Sequence, residues 1–260
     1  LHERVIHAVG LRLGAGVLAE EVVLLRGGQR RMAVGRADLT ELVGIGAEAR
    51  LDGEPTLQRL ARVLARQHVV ALRHRHVEVA DGPGDAIPVL ALFDHEEVGS
   101  VSTTGAASPF LRRQIERIWA SLEADLEAMI AASSSSLVIS ADGAHATHPN
   151  YADRHEPDHR IALNGGPVLK INANQRYATD ATSQAVFELA CREAEVPIQR
   201  FVSRTDLACG STIGPATAGE LGIGVVDAGM AQLAMHSARE TAGSLDPCWF
   251  EAALSVALRG

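Results

Sequence analysis

Lysine is nearly absent from this 260-residue chain: Lys170 stands alone, and every other residue counted among its 24 Lys and Arg is arginine. A P-loop places its lysine directly after a glycine, whereas Lys170 follows Leu169, so P-loop nucleotide chemistry is excluded. Aromatic residues make up 3%, too few for a base-stacking platform. The formal net charge of -8 opposes the phosphate neutralisation that drives non-specific nucleic-acid binding. Nucleic acid is therefore not an expected partner. The three cysteines, Cys191, Cys209 and Cys248, are odd in number, far apart and without a CxxC pair, which argues against a disulfide scaffold or a zinc–thiolate site. Cys191 falls on a helical stripe and reads as core; Cys209 precedes Gly210 in a loop. No apolar run reaches the roughly 20 residues of a membrane span, and no charged-then-apolar leader opens the sequence. The expectation is a cytoplasmic protein without a membrane partner.

What is present reads as an ordinary globular chain, 47% hydrophobic and 22% charged. Leu57, Leu60, Ala61 and Leu64 recur at helical spacing, as do Phe187, Ala190, Cys191 and Ala194. Leu111, Ile115, Ile118, Leu122 and Leu126 predict one longer helix. Short apolar runs at Val22–Leu25, Ile87–Leu92, Leu137–Ile139, Val168–Ile171, Ile198–Val202 and Ile223–Val226 are of strand length and bounded by turn formers. Helices alternating with buried strands predict an α/β sheet covered on both faces, with ligands outside the strand carboxyl ends. Residues 1–50 carry little signal, Ser133–Ser136 reads as a short polar spacer, and no repeat or boundary divides the sequence, so 1–260 is expected to form a single domain.

The most informative stretch is Phe93-Asp94-His95-Glu96-Glu97-Val98-Gly99-Ser100, directly after an apolar strand. Two adjacent carboxylates at the mouth of a strand can divide one job: one binds a metal, the other takes a proton from water. His-Glu-Glu-Val-Gly is not HExxH, so the helical zincin arrangement does not apply. Asp142 follows the run Leu137–Ile139; taken alone it fits a turn or helix N-cap as well as a ligand. His145 and His148 read first as pocket or structural histidines. His236, beside Ser237, Arg239 and Glu240, is balanced between a core residue and a ligand. Lys170, in a chain that uses arginine for exposed charge, marks a place where a compact ammonium is required, able to pair with an acidic group on a substrate. Gly210–Pro215 predicts a tight loop before a helix whose backbone amides could line a cleft.

Taken together, Phe93–Ser100, Ser140–His155, Gly166–Thr179, Asp206–Pro215 and Asp227–Glu240 resemble, in order and spacing, the M18 metallopeptidases, the aspartyl aminopeptidases. The resemblance implies a three-layer α/β/α zinc-aminopeptidase sheet and an enzyme that removes N-terminal Asp or Glu from peptides. It implies Glu96 as general base, Glu97 and His236 as ligands of one zinc and Asp142 as ligand of a second. It implies Lys170 as the residue that receives the acidic side chain, and Tyr177 as a contact of the scissile carbonyl. Arg50-Leu51-Asp52-Gly53 matches the family's Arg-Leu-Asp-Asn with Gly in place of Asn, making Asp52 the bridging carboxylate. The family's Ala-His-x-Asp-Ser-Pro motif has no match here, nor has its inserted dimerisation domain, so the chain is expected to correspond to the C-terminal part of the catalytic domain. A homo-oligomer is the implied assembly. The competing expectation is a catalytically impaired relative that binds acidic peptide ends or serves as an assembly subunit.

Overall fold

The computed structural model describes residues 7–13, 23–26, 87–121 and 125–259. Asp52 and the helix expected around Leu57–Leu64 lie outside these residues. The described strands are β1 (His7–Leu13), β2 (Val23–Arg26), β3 (Ile87–Phe93), β4 (Leu137–His145), β5 (Val168–Ile171), β6 (Gln199–Val202), β7 (Gly224–Leu233) and β8 (Thr241–Ala242). They form one mixed sheet in the order β2-β3-β1-β4-β7-β5-β6, with β8 added to β7.

Strand direction decides where chemistry can gather. β3 and β4 are both antiparallel to β1, so they run the same way, and β7 is parallel to β4. The carboxyl ends of β3, β4 and β7 therefore open on one side of the sheet. β5 is antiparallel to β7, with Val168 opposite Gly229. Lys170 belongs to a reversed strand and must reach the others with its long side chain.

Two cores on opposite faces make the three layers. Neighbouring residues of one strand part company: Val138 and Val225 pack with Leu111, Ile115, Ile118, Trp119 and Ile213, while Ile139 and Val226 pack with Phe187, Cys191 and Ala253. Alternation at period two along each strand is what divides them. Helices α1 (Phe110–Ser121), α2 (Leu126–Ser134) and α4 (Ile213–Leu221) supply the first face; α3 (Ala181–Glu193) and α5 (Asp246–Arg259) supply the second.

The single helix expected over Leu111–Leu126 is in fact two. Asp125 caps the start of α2, accepting the Ala128 amide at 2.8 Å, and Leu126 is 67% exposed rather than part of the stripe. An aspartate that satisfies an orphan amide at a helix start outweighs the continuing apolar spacing. Ser133 and Ser134, read as spacer, are the last turn of α2. β4 and β7 outrun their apolar cores because each continues the ladder of the other, as far as His145 opposite Gln232. Asp142 is accordingly a strand residue, not a turn or cap.

Candidate functional site

After Phe93 the chain folds back through a turn built on unusual backbone. His95 (φ 65°), Gly99 (φ 101°) and Ser100 (φ 60°) are left-handed, and they bracket a 3-10 turn over Glu96–Val98. The Ser100 amide donates to the His95 carbonyl at 2.8 Å, and Ser102 Oγ lies 2.8 Å from His95 Nδ1. Ala234 (φ 55°) and His236 (φ 66°) are left-handed at the end of β7. Non-glycine residues in this region cost on the order of 1–3 kcal/mol each and gather where function requires a fixed geometry. Both turns aim at the same place: His236 Nε2 lies 2.9 Å from Glu97 Oε2. His236 is 64% exposed on its side chain, so the core alternative for it fails.

The second cluster lies on the sheet itself. Lys170 is 2% exposed, and its ammonium donates to Asp142 Oδ2 at 3.0 Å and to the Gly143 carbonyl at 2.8 Å. Asp142 Oδ1 accepts the Gly143 amide at 2.6 Å. β7 separates β4 from β5, and its residue opposite Asp142 and Val168 is Gly229, which projects no side chain between them. The Tyr177 ring stands 5.4 Å from the Lys170 ammonium and is itself 7% exposed. Burial first, then its hydrogen bond with Cys209, pushes the Tyr177 phenol well above its ordinary range, so it stays protonated and can donate a hydrogen bond.

One cavity of about 610 Å³ joins both clusters, lined by Glu96, Glu97, Asp142, Lys170, Tyr177 and His236 among others. Of the candidate residues named from the sequence, only Asp52 lies outside the described residues. His145 lines the same wall, its pKa lowered by enclosure and then by the nearby His236 and Lys170. His148 has a structural task, accepting the Asn150 amide at 3.1 Å to cap the turn Pro149–Arg154.

Sequence reasoning missed the residue that holds the cavity wall together. Asp227 is fully buried on β7 and accepts Ser140 Oγ at 2.5 Å, Thr212 Oγ1 at 2.6 Å and the Ala178 amide at 2.6 Å. It fastens the segment after Tyr177 and the start of α4 to the sheet. Gly214 makes room for it, since a Cβ there would stand 2.3 Å from the carboxylate. The available signal was a lone aspartate in the apolar run Val225-Val226-Asp227-Ala228.

Imidazole and carboxylate donors suit zinc. Glu97 and His236 converge as a pair, while Asp142 faces Lys170; among the described residues no three metal-type donors converge. The donor types fit the metal, and a further donor to the Glu97–His236 pair has to come from outside the described residues or by movement of a neighbour.

Residues 45–255 match the family model described as "Aminopeptidase I zinc metalloprotease (M18)". The chain is 48% identical over 225 residues to the Mycobacterium tuberculosis protein described as "Probable M18 family aminopeptidase 2", which covers 85% of this chain and 51% of the relative. The chain thus spans about half the length of the curated relatives it matches. It is also similar to the cryo-EM structure of the Ape4 and Nbr1 complex, with TM-score 0.64 and 41% identity, over 66% of this chain and 33% of that one. A third similarity is to the S. cerevisiae mApe1 dodecamer, with TM-score 0.57 and 28% identity, over 66% and 37% of the two chains.

Proposed function

We propose, since this chain belongs to the M18 family of zinc metalloproteases, that it acts as a zinc-dependent aminopeptidase removing N-terminal Asp or Glu from peptides. The observation that carries this reading is the one cavity joining a carboxylate pair, a histidine, a buried ammonium and a protonated phenol from three separate stretches of the chain.

Glu97 and His236 would hold one zinc, Asp142 a second, and Asp52 would bridge them. When bound, zinc supplies Lewis acidity toward water and the peptide carbonyl. The remaining work falls to side chains. Glu96, adjacent to Glu97 on the same turn, takes the proton of the attacking water and returns it to the leaving amine. Tyr177, kept protonated by burial, donates to the carbonyl oxygen as negative charge grows on it. Lys170 pairs with the substrate's acidic side chain, a charge-assisted bond in a water-poor site. A homo-oligomer is the assembly proposed, supported by the dodecamer of the S. cerevisiae relative.

A second reading is favoured by the engagement of Asp142 with Lys170. On it, the chain binds acidic peptide ends without turnover, or serves as an assembly subunit. Free amino acid released from unblocked Asp-Ala and Ala-Ala peptides, with zinc supplied and then chelated, separates the two. Zinc-dependent release favouring Asp-Ala is expected. Peptide binding with no release from folded protein would sink the enzyme reading.

A further inference from the structure

Lys170 and Asp142 form a pair whose two members are needed for different tasks. The ammonium is almost wholly buried and carries two hydrogen bonds, both into Asp142-Gly143. Asp142 Oδ2 is the oxygen that Lys170 holds, and Oδ1 is held by the Gly143 amide. A cation that takes Asp142 therefore competes with Lys170 for the same carboxylate. If it wins, Lys170 is left as a buried positive charge beside another positive charge, an arrangement that is costly unless an anion replaces the lost partner.

We propose that Lys170 is a built-in competitor for the cation at Asp142, so that metal binding at Asp142 and carboxylate binding at Lys170 favour each other. The coupling is reciprocal by necessity: a carboxylate on Lys170 tightens the metal by the factor with which the metal tightens the carboxylate. A site built this way is loaded fully only when both are present. This rests on the reading that Asp142 is a metal ligand, and it adds that Lys170 sets how strongly.

The chain contains one lysine, which makes the test direct. Protein labelled with ¹³C at lysine Cε gives a single resonance from Lys170. Zinc is titrated while its affinity is followed by competition with a chromophoric chelator. The expected result is a Lys170 resonance that moves in step with zinc occupancy, reverses on chelation, and no longer responds in Asp142→Asn. Lys170→Met should bind zinc at least about tenfold more tightly. Propionate, a carboxylate that chelates zinc only weakly, should tighten zinc binding by wild type and leave Lys170→Met unchanged. Zinc binding with a motionless Lys170 resonance would overturn the coupling and leave the metal site standing. No zinc binding by the wild-type chain would overturn the reading of the site itself, and the coupling with it. The wild-type titration decides the matter even where the methionine variant does not fold.

Discussion

Removing the Asp227 carboxylate should cost more stability than any single change at the exposed metal-type donors. Asp227 is 0% exposed and accepts three donors, the Ser140 and Thr212 hydroxyls and the Ala178 amide. In Asp227→Ala the hydroxyls can turn toward other acceptors, but the Ala178 amide cannot. One orphaned buried donor costs about 1–3 kcal/mol, and each hydrogen bond to a charged group contributes about 1.5–3 kcal/mol. We expect Asp227→Ala to lose about 3–5 kcal/mol, as befits the loss of a buried hydrogen-bond network. For a chain of this size each kcal/mol moves Tm by about 2–4 °C, so the melt should fall by roughly 6–20 °C. Asp227→Asn keeps an oxygen for the amide and turns an NH₂ group toward hydroxyls that can accept, so its loss should be smaller than that of the alanine variant. Calorimetry or a urea series on the three proteins reads this. An Asp227→Ala melt within the error of wild type, or an asparagine variant worse than alanine, would refute the account of Asp227 as the anchor of the cavity wall.

The other predictions concern the site and its pH response. Lys170→Ala, assayed at saturating zinc, should lose the preference for Asp-Ala over Ala-Ala peptides, and an unchanged ratio of the two kcat/KM values would remove Lys170 from substrate selection. His236→Ala should lower the zinc bound per chain, measured by elemental analysis after gel filtration, whereas unchanged zinc content would exclude the Glu97–His236 pair as a ligand pair. His155 is 6% exposed, and burial first, then the nearby His145, lowers its pKa. The unfolded chain therefore takes up a proton at this position below about pH 6.5, before the folded chain does. Its contribution to stability is thus complete above that pH and is lost as pH falls through the lowered folded-state value. The urea midpoint should drop between pH 7.5 and 5.5, and His155→Gln should flatten that drop; an equally steep profile in the variant would contradict it.

Much of this site was legible in the sequence because its residues sit beside strong local signals. Glu96 and Glu97 follow an uninterrupted apolar strand, and a single lysine in an arginine-using chain draws the eye to Lys170. The strand Val168–Ile171 coincides with its apolar run, and Cys191 is core as its helical spacing predicts. What the sequence hid was non-local. The reversal of β5 depends on pairing with β7, some 60 residues further on in the chain, and nothing in Val168–Ile171 encodes direction. β1 has no strong apolar run, and its place between β3 and β4 follows from two ladders rather than from its own composition. The split at Asp125 was a contest between a cap and a stripe, won by the cap. Asp142 and Lys170 each stand out in the sequence, yet their pairing reaches across β7, which separates their two strands.

The most direct test of the central claim sets wild type beside Glu96→Gln and measures release of aspartate from an unblocked Asp-Ala peptide at saturating zinc. A positioned general base contributes about 10²–10⁴-fold, so the variant should fall by that factor while binding zinc as wild type does. Zinc-dependent turnover in wild type and its loss in the variant is the result the account predicts. Equal turnover by the two proteins would contradict it.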